Sequence, residues 1–473
     1  MTNFFNSYFY KFNKSISIKY LIAVFLSFSV TFNNYAQKKE EISKTTRILF
    51  ILDASGSMLD KWEGRTRMAV AKEVLTKIVD SLKGVERLEL ALRVYGHQWD
   101  KRYNNCKDTK LEVPFKKGNH ESIKAKIKTI KPQGTTLISY SLEQCGNDFP
   151  TDINSRNVII LITDGIEACG GDPCALSLAL QEKRIFLKPF IIGIGPDELF
   201  KKAFGCMGQY FDAQTVNSFH KVMENILTQT LKETTVRVNL LDINNNPTET
   251  NVNITFLNNA TNDAEYDFVH YLNAAGQTDN LKIDAILSYD IIVNTIPKVI
   301  KKNVKLEGGK ENIINIKSPQ GSLIVQGNLK EYKNPVVLIR QNSDNITLNV
   351  QHIGSKEKYL VGNYDIEVLT LPRTNFKNVK IDQSKLTTLS IESPGILNIS
   401  ESISGYGSLY ELKPNGDQEW ICNLEDQNSK LALAMQPGKY KIVFRSKKSL
   451  SSSYTYVKLF EIKTGATTNL KLY

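Results

Sequence analysis

The sequence predicts an α/β domain built on a doubly wound, mainly parallel sheet of Rossmann-like design, followed by about three small all-β, sandwich-like modules. Three observations lead there. Over residues 46–232, short apolar runs that end in turn residues alternate with stretches of helical period, the pattern of strand–helix–strand units. After about residue 235 the period becomes two, with Asn, Gly, Pro and Lys turns between short strands. Finally, Tyr289-Asp290-Ile291-Ile292-Val293 recurs as Tyr364-Asp365-Ile366-Glu367-Val368 and, more loosely, as Tyr440-Lys441-Ile442-Val443-Phe444, at offsets of 75 and 76 residues.

The first 36 residues carry Lys11, Lys14 and Lys19 and no acidic residue, and they lead into the apolar segment 20–32. Ala36 follows the polar Asn33-Asn34-Tyr35, the order of a secretory signal peptide cleaved after Ala36. An apolar core of about 13 residues is short of the roughly 20 that a spanning helix needs, and no later segment is long and apolar enough. No Cys stands at the cleavage point, which argues against a lipid anchor; an uncleaved N-terminal anchor is the alternative. Residues 37–45 read as a linker.

The run Ile48-Leu49-Phe50-Ile51-Leu52 reads as a strand buried on both faces, and it passes directly into Asp53-Ala54-Ser55-Gly56-Ser57. Ligands of open α/β sheets gather beyond the carboxyl ends of such strands. Gly56 allows a tight turn, so Ser55 and Ser57 can aim their hydroxyls where Asp53 aims its carboxylate. An amphipathic helix is expected from about Arg65 to Leu82, then a strand over 88–95 and helices near 121–130, 137–145 and 175–183. Buried strands are expected at 158–162 and 189–194, a short one at 209–211, and a closing helix over 216–231 before a boundary at 232–235. Two more segments carry the same chemistry as the first junction. Gly134-Thr135-Thr136 opens a helix, and Thr163-Asp164-Gly165 ends the strand 158–162. Oxygen ligands at strand ends suit a hard divalent cation.

The ordered set DASGS, GTT and TDG resembles the metal-ion-dependent adhesion site of a von Willebrand factor A-type (vWA) domain. Tyr95-Gly96-His97 and Cys169-Gly170-Gly171-Asp172-Pro173-Cys174 are similar to a bacterial exported branch of that family. The resemblance implies metal ligation by Asp53, Ser55, Ser57, Thr135 and Asp164. Gln133 and Thr136 stand where the family usually has Gly and Pro, which affects the shape of the second loop rather than the ligand set. The expected ion is Mg²⁺, with Mn²⁺ or Ca²⁺ as substitutes, and at least one position is left to solvent. The resemblance further implies a protein partner whose exposed Asp or Glu completes the shell.

Composition narrows the alternatives. The 473 residues carry 60 Lys and Arg against 49 Asp and Glu, a mild surplus spread along the chain with no basic stripe, so nucleic acid is not an expected partner. None of the five histidines has metal-helix spacing; a Gly-x-Ser-x-Gly elbow and a phosphate loop are both lacking, so no enzyme is expected. Five of six cysteines fall in the first domain, in keeping with export. The Gly-Gly-Asp-Pro turn suggests a local Cys169–Cys174 disulfide. Among Cys106, Cys145 and Cys206 the spacing selects no pair; Cys106 with Cys206, leaving Cys145 unpaired, is the expectation.

The β modules are expected at 235–317, 318–392 and 393–473, with Ser318-Pro319 and Ser393-Pro394 again 75 residues apart. Each has the size of a small β-sandwich, and the recurring tyrosines are expected to pack in its core. Together these readings describe an exported adhesion or protein-interaction factor of the periplasm, cell surface or extracellular space. The alternative is a structural or regulatory envelope protein whose β modules bind the partner and whose cation only stiffens loops.

Overall fold

The computed structural model describes residues 45–151, 155–192, 207, 211–213, 215–333, 335–341, 346–399, 404–424 and 430–472. The expected leader, and the linker up to residue 44, lie outside these residues, as do Cys206 and most of the expected strand 209–211.

The first domain contains strands β1 (Thr45–Asp53), β2 (Lys61–Trp62), β3 (Arg65–Thr66), β4 (Leu88–Tyr95), β5 (Thr109–Lys117), β6 (Ser155–Thr163), β7 (Ile185–Ile192) and β8 (Phe211–Ala213). Its helices are α1 (Arg67–Ser81), α2 (His120–Thr129), α3 (Ile138–Asp148), α4 (Pro173–Glu182) and α5 (Val216–Leu231). Six strands form one sheet in the order β5-β4-β1-β6-β7-β8, while β2 and β3 make a small separate hairpin. All pairs in the sheet are parallel except β4 with β5.

Strand β1 lies in the middle because both of its faces are apolar. Ile48, Phe50 and Leu52 pack with Val70, Val74 and Ile78 of α1, whereas Leu49 and Ile51 pack on the opposite side with Leu142 and Cys145 of α3. This is the period of two expressed on both surfaces of one strand. Helix α1 starts where Thr66 accepts a hydrogen bond from the Ala69 N–H at 3.1 Å, one of the orphan donors of a first turn.

Several elements depart from expectation, and the short β2–β3 hairpin, which takes Arg65 and Thr66 from the expected start of the helix, is one of them. Strand β5 was not anticipated: it is an antiparallel edge strand with Lys110, Pro114, Lys116 and Lys117, and only Val113 in it is fully buried. Charges and proline are what protect an edge from pairing with another chain, and they also erase the apolar signal of a strand. Strand β7 starts at Ile185, four residues before the expected position, because Ile185-Phe186-Leu187 extends the pairing with β6.

The first β module comprises β9 (Thr235–Leu241), β10 (Asn253–Asn258), β11 (Ala264–Val269), β12 (Leu281–Lys282), β13 (Ser288–Val293), β14 (Val299–Lys305) and β15 (Glu311–Lys317). It forms two sheets, β11-β10-β13-β14 and β12-β9-β15. Only the first and last strands pair in parallel. The strands within 320–390 and within 395–470 repeat both sheets in the same order, each again with a parallel first–last pair. Tyr289, Tyr364 and Tyr440 are buried in the three cores, and each hydroxyl donates to a carbonyl a few residues upstream: Asp284 at 2.7 Å, Leu360 at 2.8 Å and Gln436 at 2.6 Å. Core packing with a satisfied hydroxyl therefore accounts for the repeated tyrosine.

The modules are joined by a repeated contact. Thr295-Ile296-Pro297 recurs as Thr370-Leu371-Pro372. The Ile296 carbonyl accepts the Leu360 N–H at 2.8 Å and its side chain packs on the second core; the Leu371 carbonyl accepts the Gln436 N–H at 2.7 Å and its side chain packs on the third. The α/β domain is fixed to the first module by a continuous apolar core through Leu227, Leu231 and Val236. An Arg156–Asp284 ion pair adds to this joint. Among the described residues, no helix is long and apolar enough to cross a membrane.

Candidate metal centre

Strand β1 has β4 on one side and β6 on the other, so the chain leaves β1 in one direction and later returns in the opposite one. The crevice at the carboxyl ends of β1 and β6 is the place where the order reverses, the usual ligand position of such a sheet. Asp53 is the last residue of β1, and Asp164 follows the last residue of β6. Both are buried.

The Asp53 carboxylate accepts the Ser55 N–H at 2.7 Å on Oδ1 and the Thr163 hydroxyl at 2.7 Å on Oδ2. Tyr95 in turn donates its hydroxyl to Thr163 Oγ1 at 3.1 Å, so two side chains behind the site fix the orientation of this carboxylate. Ser57 donates to Asp164 Oδ1 at 2.8 Å, and the Ser55 and Ser57 hydroxyls are 3.1 Å apart. Four of the five candidate ligands are thus tied into one cluster.

Thr135 is brought in by backbone packing. The Gly56 N–H donates to the Gly134 carbonyl at 2.9 Å, and Ser55 bridges to Gly134. Two glycines make this approach possible. A Cβ on Gly134 would lie 2.7 Å from Gly96 Cα, and one on Gly96, whose φ is +71°, would lie 2.9 Å from Ser55 N and 3.0 Å from the Thr135 carbonyl oxygen. Thr135 itself is buried, and its hydroxyl has no hydrogen-bond partner in the structure. A buried hydroxyl without a partner costs free energy and calls for an explanation.

Arg67, the first residue of α1, places its guanidinium on Asp164 Oδ2 at 2.7 Å. Sequence spacing gives no sign of this role, because a helix-opening Arg beside Thr66 is ordinarily solvated. His97, by contrast, is turned to Glu112 of β5 at 2.9 Å.

Burial, and then repulsion from Asp164, push the Asp53 carboxyl up to about 6; hydrogen bonds from Ser55 and Thr163 only partly oppose this. Two crowded carboxylates, clustered hydroxyls and an unpartnered threonine Oγ form a hard, oxygen-only donor set, which fits a divalent cation of the Mg²⁺ type. Among the described residues no three His, Cys, Asp or Glu side chains cluster as metal ligands.

The cysteines correct the sequence expectation. Cys106 is bonded to Cys169, with Cα atoms 5.7 Å apart, so neither Cys169–Cys174 nor Cys106–Cys206 forms. Asp172 caps α4 by accepting the N–H groups of Cys174 and Ala175, and Pro173 opens that helix. The Gly-Gly turn therefore delivers Cys174 into a helix instead of folding it back on Cys169. Cys174 is disulfide-bonded in its own right, while Cys145 and Cys422 are free. The Cys106–Cys169 bond staples the loop after β4 to the loop after β6, the two rims of the site. With the cysteines 63 positions apart in sequence, Cys106→Ser with Cys169→Ser should cost about 4 kcal/mol by chain entropy alone, read as a loss in urea unfolding free energy.

Similar proteins are found both among curated sequences and among solved structures. Two Bacillus subtilis (strain 168) proteins, described as uncharacterized proteins YwmC and YwmD, are 29% and 27% identical over 216 and 209 residues; the matches cover 43% and 42% of this chain and 92% and 91% of theirs. Among solved structures, the conserved hypothetical protein BatB from Bacteroides thetaiotaomicron is similar at 20% identity, covering 39% of this chain and 98% of that one, with a TM-score of 0.32. The pilus adhesin SpaC from Lactobacillus rhamnosus GG is similar at 10% identity over 90% of this chain and 83% of its own, with a TM-score of 0.34. Residues 48–167 match the von Willebrand factor type A domain.

Proposed function

We propose that the vWA domain binds one divalent cation, Mg²⁺ by its ligand chemistry, and through it an exposed Asp or Glu of a partner protein. The chain would act as an adhesion or interaction factor outside the cytoplasm, exported by its leader, with the β modules as a jointed spacer. The observation that carries this reading is the convergence of Asp53, Ser55, Ser57 and Asp164 next to a buried Thr135 hydroxyl that lacks any internal partner. The family match supports an interaction role.

Charge explains the preference for an acidic ligand. Among the buried groups Asp53 and Asp164 contribute −2 and Arg67 contributes +1, which leaves −1 at the site; the Asp60 carboxylate, 3.6 Å from the same guanidinium, is exposed to solvent and screened. A divalent cation turns this into +1. One carboxylate from outside then neutralises it, in a crevice where an uncompensated charge would be costly.

Arg67 therefore works in opposite directions on the two ligands. Arg67→Gln should tighten Mn²⁺ binding about tenfold, by removing a positive charge hydrogen-bonded to Asp164, and should weaken retention of an acidic partner. Titration calorimetry reads the first effect and pull-down from an envelope fraction the second. Partner capture that survives EDTA would count against the cation bridge and favour the β modules as the binding surface.

A further inference from the structure

Beside the site lies a cavity of about 280 Å³. Its floor is Ile138 and Met207, both buried, and Ile166, Gly171 and Pro173 stand around it. Two carboxylates also line it, and both are already committed. Glu167 accepts the N–H groups of Ser139 at 2.6 Å and Cys169 at 2.8 Å, and Asp172 accepts those of Cys174 at 2.9 Å and Ala175 at 3.1 Å. What the cavity offers a ligand is apolar wall.

The same two loops build the cation site and the cavity. Ile138 comes three residues after Thr135, Ile166 comes two after Asp164, and a Cβ at Gly165 would be 3.3 Å from Thr136 Oγ1. On the other rim, exposed Lys101 lies over the Gly56 turn, its Cδ 3.8 Å from the Cβ position there, and its ammonium has no partner among the described residues. A loaded site of charge +1 next to an unpaired Lys101 attracts one carboxylate. The carboxylates of the cavity repel a second one. Side chains two positions apart in an extended peptide share one face, about 6.6–7.2 Å from each other, so the residue two positions from a cation-bound acid reaches the neighbouring loop.

We infer that the partner presents an acidic residue with an aliphatic one two positions away, the carboxylate on the cation and the aliphatic side chain in the Ile138–Ile166–Met207 cavity. This rests on the cation-bridge reading, and the test separates the two.

The full chain, in Mg²⁺ and again in EDTA, is passed over surfaces carrying acetyl-Gly-Glu-Gly-Leu-Gly-amide or acetyl-Gly-Glu-Gly-Gly-Gly-amide. The leucine peptide should retain the chain about tenfold more tightly in Mg²⁺, as burial of an aliphatic side chain demands. Ile166→Ser, at a position 41% exposed and safe for folding, should remove that preference without changing Mn²⁺ affinity. Equal Mg²⁺-dependent binding of both peptides, or a preference that survives Ile166→Ser, overturns the cavity and leaves the cation bridge standing. Mg²⁺-dependent binding of neither peptide overturns both.

Discussion

Asp53→Asn should abolish divalent-cation binding, with a loss of about a hundredfold or more in affinity, and should also make the cation-free chain more stable at pH 7. The amide reproduces the shape of the carboxylate. Its Oδ1 can accept the Ser55 N–H, and its Nδ2 can donate to Thr163 Oγ1, which can turn its own hydrogen to the Gly165 carbonyl at 3.2 Å. What disappears is a buried charge facing Asp164. In the folded chain the Asp53 carboxyl is raised to about 6, above the 3.8 of an unperturbed group, so the folded state binds its proton more readily than the unfolded state. The stabilisation linked to that proton is complete below about 3.8 and is lost as the pH rises through about 6. At pH 7 the parent therefore bears a penalty of about 1–3 kcal/mol that Asn relieves. Urea unfolding in EDTA at pH 7 and pH 5 checks this: the parent should gain on Asp53→Asn as the pH falls. A less stable Asn variant at pH 7 would mean that the carboxylate is there for structure.

The second large effect is expected from Gly96→Ala. The substitution must accommodate a φ of +71° and place a methyl group 2.9 Å from Ser55 N and 3.1 Å from the Ala54 carbonyl carbon. Neither neighbour is a flexible side-chain end; both are backbone of the first ligand loop. The strain and the displaced loop together should cost about 2–4 kcal/mol. The loop moves away from Thr135, so Mn²⁺ affinity should fall with stability. Ala at Gly170, whose φ of +78° is similar but whose Cβ position is open, separates the two causes. It should lower stability by only about 1 kcal/mol and leave Mn²⁺ binding unchanged.

The parts of this chain that could be read in advance are those in which apolar pattern and function meet. Strands β1 and β6 are uninterrupted apolar runs that stop at a carboxylate, so their position in the sheet and the placement of Asp53 and Asp164 follow from one feature. The amphipathic period of α1 and the recurrence of the Tyr-x-Ile strand are similarly local signals. Strand β5 carried no such signal, because an edge strand is half solvated and is protected by Lys and Pro. Arg67 was hidden because its partner Asp164 lies 97 residues away and a charged residue at a helix start needs no special reason. Cysteine pairing failed for a related reason: proximity along the chain favoured Cys169 with Cys174, yet the N-cap at Asp172 directs Cys174 into α4 and leaves Cys169 facing Cys106. Gly96 and Gly134 are ordinary turn residues in sequence. Only their contact shows that they let two ligand loops touch.

Of the five oxygens proposed to hold a cation, that of Thr135 is the most selective probe. Val replaces Thr135 with nearly the same shape and removes only the hydroxyl that no internal group uses. Mn²⁺ titration of the full chain at pH 7, followed by electron paramagnetic resonance, should give one bound ion in the parent and about tenfold weaker binding in Thr135→Val, with the fold equally or more stable. No Mn²⁺ bound by the parent, or the same affinity in Thr135→Val, would rule out a five-oxygen cation site.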